Sequence, residues 1–341
     1  MKFNKALAAG ALGLLASAFS GVTMAGQAAA PVAVVPPPRA FATAQEHFEY
    51  LKREAKGGTR HTYDSIPKWE GLWSASYNSV ARGDASPFFE GANGGQGAGG
   101  VVKEGVLTPA YEAAFKQRRE NMHRFNGQPF DRLTFCEAAG PVRWLLEPYV
   151  REFVNTPTQS WWMNDLANET IRVYIDQEHK NVEGSHTADG DAIGFWAGNK
   201  LVVWVNAMWP AEFFRSYPPY SNEMEIVEVY EMTTDAEGKP SLVAQVTFYD
   251  PVALAKPLNG VYVWRPAEAQ QKAGYRIRHW DCSTGAQIPG EGDTTSIRLP
   301  GESGKTWHQM RNPDLPADLP GQTQSPNQLD FDSVFDEPAK Q

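Results

Sequence analysis

The chain has 341 residues, 42% of them hydrophobic and 12% aromatic, and a formal charge of −9. Such a length and apolar content close a core without a metal or a dense disulfide framework, which excludes both a disordered polymer and a stapled mini-protein. The excess of acid excludes a phosphate-gripping surface, because affinity for nucleic acid rests on Lys and Arg.

Lys2 and Lys5 precede the apolar run "ALAAGALGLLASAF", which is followed by small residues at Ala28 and Ala30. That pattern predicts a secretory signal over residues 1–30, cleaved between Ala25 and Ala30, and a periplasmic or secreted mature protein. The run is short for a bilayer and no later stretch is apolar enough, so no transmembrane segment is expected. Residues 31–64 read as a Pro-rich tether and a short helix: in "TAQEHFEYLKREAK", Thr43 stands as N-cap with Glu46 three residues on. The stretch "WEGLWSASY" reads as a first strand and "EGANGGQGAGG" as a glycine-rich loop. "TPAYEAAFKQRRENMHRF", residues 108–125, reads as a second helix capped by Thr108, with Pro109 in its first turn and Tyr111, Phe115 and Met122 on its buried stripe.

From residue 150 the texture changes to short aromatic and β-branched runs separated by turn residues: "REFVNT", "QSWWMND", "ETIRVYID", "AIGFW", "KLVVWVNAMW", "MEIVEVYEM", "LVAQVTFYD", "GVYVWR" and "YRIRHWD". Runs of this kind predict an antiparallel meander. Gly198 and Asn199 are placed for positive φ in a tight hairpin, and "LNG" at 258–260 for a second turn. A meander of about eight to ten strands loses its edges by closing, so the fold expected over residues 65–285 is mainly β, an antiparallel up-and-down, lipocalin-like barrel with short N-terminal helices. "KLVVWVNAMW" is apolar on both faces and should be covered outside as well as inside. The tail 286–341 is expected to be largely disordered. Its "GESGKT" resembles a phosphate loop, but the position that needs glycine is Leu299, and neither a strand nor a helix flanks it.

Cys136 and Cys282 lie in a chain bound for an oxidising compartment, which predicts a disulfide. Closing so long a loop contributes roughly 4–5 kcal/mol on the loop-entropy model.

The motifs "IPKWEGLW", "CEAAGPVR", "ETIRVYIDQEH", "GDAIGFWAGNKLVVWV", "EMEIVEVY", "VTFYDP" and "HWDC" occur in order between residues 65 and 285. In this the chain resembles a large family of exported proteobacterial proteins, and "GLW" at 71–73 is similar to the Gly-x-Trp opening of lipocalin-type barrels. The resemblance implies export and a barrel. It also implies that Arg172, Tyr174, Asp176, His179, Gly194, Trp196, Gly198 and Glu228 are family positions, and it accounts for both cysteines. The chain departs from the pattern at Gln177, at the turn Ala197–Lys200 and after Cys282, where "STGAQ" follows.

Chemistry is sought on two strands. In "RVYIDQEHKN", Arg172, Tyr174 and Asp176 share one face, and in "MEIVEVYEM", Glu228 and Tyr230 share a face with large apolar residues. Two arrangements fit the first strand: a solvated outer face, or a polar patch lining a cavity. In the second, Arg172 pairs with Glu228 at one end of a lumen, with His179 at the rim. Trp161, Trp162, Trp196, Trp204 and Tyr230 then hold the body of a ligand, although tryptophans also serve as plain core. His179, Asp176, Tyr174 and Glu228 supply general acids and bases. The histidines show no metal spacing, and no cofactor motif is present. The functions expected are therefore binding of a small apolar or aromatic molecule in the lumen, cofactor-free acid–base catalysis (a lyase, isomerase or hydratase) on such a molecule, or an envelope interaction module using the glycine loop and tail. Oligomeric state is left open.

Overall fold

The computed structural model describes residues 32–80, 86–89, 102–125, 128–129, 132–180, 185–214, 217–235, 238–280, 282, 287–289 and 294–297. The expected signal segment, the glycine-rich stretch 90–100 and most of the tail lie outside the described residues.

Nine strands form a closed barrel: β1 (Leu72–Asn78), β2 (Arg151–Asn155), β3 (Gln159–Asn164), β4 (Thr170–Ile175), β5 (Asp191–Ala197), β6 (Lys200–Asn206), β7 (Glu225–Thr234), β8 (Pro240–Tyr249) and β9 (Leu258–Pro266). Each strand pairs with its neighbours in sequence, and β1 closes the ring by pairing with both β9 and β2. An odd ring cannot reverse direction at every junction. The one parallel junction is β4·β5, Val173–Ile175 against Ala192–Gly194, and every other is antiparallel. The up-and-down barrel is thus present with one departure, and the chain between β4 and β5 must return along the barrel before β5 begins, with His179 of that segment packed against the outward Trp204.

Period-two alternation sets the faces. Inside lie Phe153, Trp162, Ile171, Val173, Trp196, Val203, Glu228, Tyr230, Tyr262 and Trp264; outside lie Phe195, Val202, Trp204, Val227, Val243 and Val263. The outer face of β5–β8 is covered by α1 (Ala44–Glu54), whose Phe48 packs on Phe195 and Trp204, so "KLVVWV" is buried on both sides as expected. Thr43 caps α1 by accepting from the Glu46 N–H at 3.1 Å. Thr108 does not cap α2 (Pro109–Arg124); its hydroxyl donates to the Val252 carbonyl, and of the expected stripe only Phe115 is fully buried.

Several turns differ from expectation. The β5–β6 hairpin has Gly198 at φ 62°, while Asn199 does not share positive φ, the pattern of a turn needing glycine only at its first central position. Leu258–Gly260 is the start of β9, not a turn. The described part of "YRIRHWD", residues 275–280, makes no strand, because the closed ring offers it no free edge. Past the expected boundary at 285, Gln287–Pro289 pairs with Thr294–Ile297, which pairs with Gln128–Pro129. The Cys136–Cys282 disulfide is formed and ties this region to the segment before the third helix.

Both mouths are filled by chain. At one, α3 (Pro141–Leu146) enters with all six residues buried. At the other, residues 58–70 cross as a strap that places Ile66 and Trp69 in the core. Positive φ at Gly57 and Gly58 and again at Gly71 lets the strap enter and leave sharply. It is held by Thr59 N–H to the Trp196 carbonyl (2.6 Å), His61 Nε2 to the Gly198 carbonyl (2.9 Å) and Asn155 Nδ2 to the Pro67 carbonyl (2.8 Å).

Candidate functional site

The barrel interior carries the chemistry, and the residues singled out on β4 do not reach it. Ile171, Val173 and Ile175 take the inner face of that strand, so Arg172, Tyr174 and Asp176 point outward. Arg172 lies over the outer ring of Trp161 at 3.9 Å. Asp176 ends the strand at φ 56° and is exposed. The pairing of Arg172 with Glu228 is therefore corrected: the two stand on opposite sides of the wall, because Arg172 is in step with outward residues and Glu228 with inward Val203 and Val246.

His179 is also outside. It sits on the return segment that the parallel junction requires, edge-on to Trp204 at 4.3 Å, with Nδ1 3.2 Å from Asp191 Oδ2. Trp204 itself faces outward and donates to Glu225 at 2.8 Å. Burial pushes the His179 imidazole below its ordinary value, against an opposing pull from Asp191. His179 and Glu228 thus face no common cavity. Of the expected site, Glu228, Tyr230, Trp162 and Trp196 come together inside, while Arg172, Tyr174, Asp176, His179, Trp161 and Trp204 are on the outer surface.

Glu228 is 1% exposed. Burial pushes its carboxyl up to about 8, with a smaller opposing pull from the Tyr230 hydroxyl, so at neutral pH it is chiefly a neutral acid. Tyr230 and Tyr262 flank the small Ala244 across β7, β8 and β9, and both rings stack on Trp264, with centroids 5.8 and 6.2 Å away. Burial and then the nearby Glu228 raise both phenols well above their ordinary value, so they are neutral donors. The Tyr230 hydroxyl is near enough to Glu228 for the two to interact. Yet Glu228 Oε2 and both tyrosine hydroxyls are buried without a hydrogen bond of good geometry. Trp162 packs on Tyr230 at 4.7 Å, and Trp69, carried by the strap, at 5.9 Å.

Further inside stand residues that the sequence did not mark. Arg151 opens β2 in step with Trp73 and Asn164, fully buried. Its guanidinium lies over the Trp144 ring at 4.5 Å and donates to the carbonyls of Tyr149 (2.9 Å), Glu147 (2.7 Å) and Trp144. A cation is thus spent on the Trp144 carbonyl in the last turn of α3 and on the Glu147 and Tyr149 carbonyls just past it. Burial lowers this guanidinium to about 10, opposed by Glu147, Tyr230 and Glu169, so it stays charged at neutral pH. At the α3 end, Glu169 accepts from the Gly140 N–H at 2.7 Å and lies beside Asp189; burial raises both carboxyls. A signal for Arg151 was available: alternation in "REFVN" sets it on the face of Phe153.

Among the described residues no group of three or more His, Cys, Asp or Glu side chains is placed to hold a metal ion, and no helix is long and apolar enough to cross a membrane. Comparison with protein-family models, with curated proteins and with solved structures finds no match to this chain.

Proposed function

We propose that the protein is an exported binding barrel that holds a small aromatic or apolar molecule in its lumen. One observation carries this reading. Buried polar atoms are nearly always hydrogen-bonded in folded proteins, and each that is not calls for an explanation. Here Glu228 Oε2, the Tyr230 hydroxyl and the Tyr262 hydroxyl are buried together without a well-formed hydrogen bond on the inner face of an aromatic-walled barrel, Tyr230 and Glu228 having only each other. An apolar wall with a few convergent polar groups is the ordinary make-up of a small-molecule site. Export is supported by the signal-like N-terminus and the disulfide.

The test is to denature protein recovered from the compartment to which it is exported, and to extract and weigh the small molecules released. An aromatic compound near one equivalent supports the reading. If nothing is released above background, and a broad panel of aromatic and lipid ligands leaves the melting temperature unmoved, the reading fails.

A second reading, cofactor-free acid–base catalysis, is favoured by the raised carboxyl of Glu228, since a general acid works best when its pKa lies near the operating pH. The retained molecule would then be altered on incubation, and Glu228→Gln would abolish the change while leaving binding in place.

A further inference from the structure

The unmet hydrogen-bonding capacity of the interior is lopsided, and the imbalance specifies the ligand. Six tryptophans put their rings in the main core: Trp69, Trp73, Trp144, Trp162, Trp196 and Trp264. Two have partners, Trp73 donating to the Trp69 carbonyl at 3.1 Å and Trp162 to Ser160 Oγ at 2.8 Å. The fold therefore supplies acceptors to indoles where its own needs demand them. The other four indole N–H groups, each on a residue no more than 2% exposed, donate to nothing among the described residues. Arg151 Nε and the Tyr262 hydroxyl share that condition, and the Tyr230 hydroxyl has only a poorly aligned approach to Glu228. Indole and guanidinium N–H groups can only donate, and a phenol most readily does so. On the acceptor side stands Asn164 Oδ1, whose own Nδ2 is an unpartnered donor, while Glu228, as a neutral acid, brings an O–H donor along with its acceptor.

These groups are neighbours. Trp69 contacts Trp196 at 5.6 Å and Tyr230 at 5.9 Å, Trp264 stacks on both tyrosines, and Arg151 lies over Trp144 and, at 5.7 Å, over Trp264. A molecule that brings further hydroxyls would add donors to an interior already oversupplied with them. A hydrocarbon would leave every one unmet.

We infer that the lumenal ligand is an uncharged, planar aromatic compound carrying carbonyl oxygens, of the quinone or aromatic-ketone class, taken in preference to the phenol or hydrocarbon of the same skeleton. The inference rests on the lumenal binding proposed above and names the chemistry of its ligand. A net hydrogen bond and a relieved buried donor each favour the acceptor-bearing ligand, so two carbonyls are expected to tighten binding about tenfold to a hundredfold over the hydrocarbon.

The test is isothermal titration calorimetry of the full-length, oxidised protein with four compounds of one ring size: naphthalene, 2-naphthol, 1,4-naphthoquinone and 2-naphthoate. Both cysteines of the chain are in the disulfide, so no thiol is available to add to the quinone. The expected result is that 1,4-naphthoquinone binds at least about tenfold more tightly than the other three. Tyr230→Phe combined with Tyr262→Phe, which removes two buried hydroxyls lacking well-formed hydrogen bonds and leaves the rings, should cut the affinity for the quinone and leave that for naphthalene unchanged. Equal affinities across the series would overturn the carbonyl preference while leaving the binding barrel standing. Tightest binding of 2-naphthoate would assign ligand choice to the Arg151 charge and overturn the uncharged class. Failure of all four to bind would count against the lumenal site itself, and the inference would fall with it. Should the double variant not fold, the ranking of the four compounds on the unaltered protein decides the matter alone.

Discussion

Replacing Glu228 by Gln keeps the shape of the side chain and removes its charge, and the consequence for stability can be worked from its surroundings. The ordinary value of 4.5 is raised to about 8 by burial among apolar neighbours. Because the folded value lies above the unfolded one, the associated stability is complete below the unfolded pKa and is lost as pH climbs through the folded one. At about 1.4 kcal/mol per pKa unit the whole window is worth roughly 5 kcal/mol, of which roughly 2.5 kcal/mol falls between about pH 5 and about pH 7. Gln does not ionise and escapes this loss. In urea denaturation the stability of Glu228→Gln relative to the unaltered protein should therefore rise by about 2–3 kcal/mol between those two pH values, whatever the constant offset from the amide. A difference that stays flat with pH would refute a neutral, buried Glu228.

Four further outcomes follow from other parts of the molecule. His179→Ala should leave ligand binding unchanged, because the imidazole is outside the wall, but it should alter tryptophan emission through its contact with Trp204; a loss of binding in titration would contradict that placement. Arg151→Met strips the α3 carbonyls of their donor and should cost roughly 3–5 kcal/mol in chemical denaturation, with Arg151→Lys recovering only part. Joint replacement of Cys136 and Cys282 by Ser opens a loop of 146 residues and should lower stability by about 5 kcal/mol on the loop-entropy model, read as a fall in the denaturation midpoint. Gly194→Ala places a methyl 2.6 Å from the Val202 carbonyl oxygen and should destabilise the barrel strongly in a thermal melt.

Much of the barrel was legible because a strand with one buried face writes its period into the sequence. "MEIVEVYEM" and "GVYVWR" alternate so regularly that their two faces separate on inspection, and the closed ring follows from the succession of such runs. Which polar face looks inward is a different question. On β4 the inward set is Ile171, Val173 and Ile175, and the polar set takes the solvated outer face, the first of the two arrangements its alternation allows. On β7 the inward set includes Glu228. A local pattern does not say which strand carries the exception, since that depends on neighbours across the ring. The position of His179 depends on the strand count: an odd ring needs a parallel junction, and His179 lies on the return segment which that junction requires, against the outward Trp204. Alternation in "REFVN" puts Arg151 on the inner face, but its role and α3 were hidden for another reason. A six-residue helix is too short to show a period, and the role of the guanidinium arises only when Trp144, Glu147 and Tyr149 turn their carbonyls to it.

The central claim, that the interior holds a small aromatic guest against Glu228, Tyr230 and Tyr262, is met most directly by a high-resolution crystal structure of natively purified protein. The account predicts compact non-protein density in contact with those three side chains, with an acceptor atom about 3 Å from a tyrosine hydroxyl. Rings in van der Waals contact throughout, with the hydroxyls and the carboxyl bonded only to one another or to single waters, would contradict it.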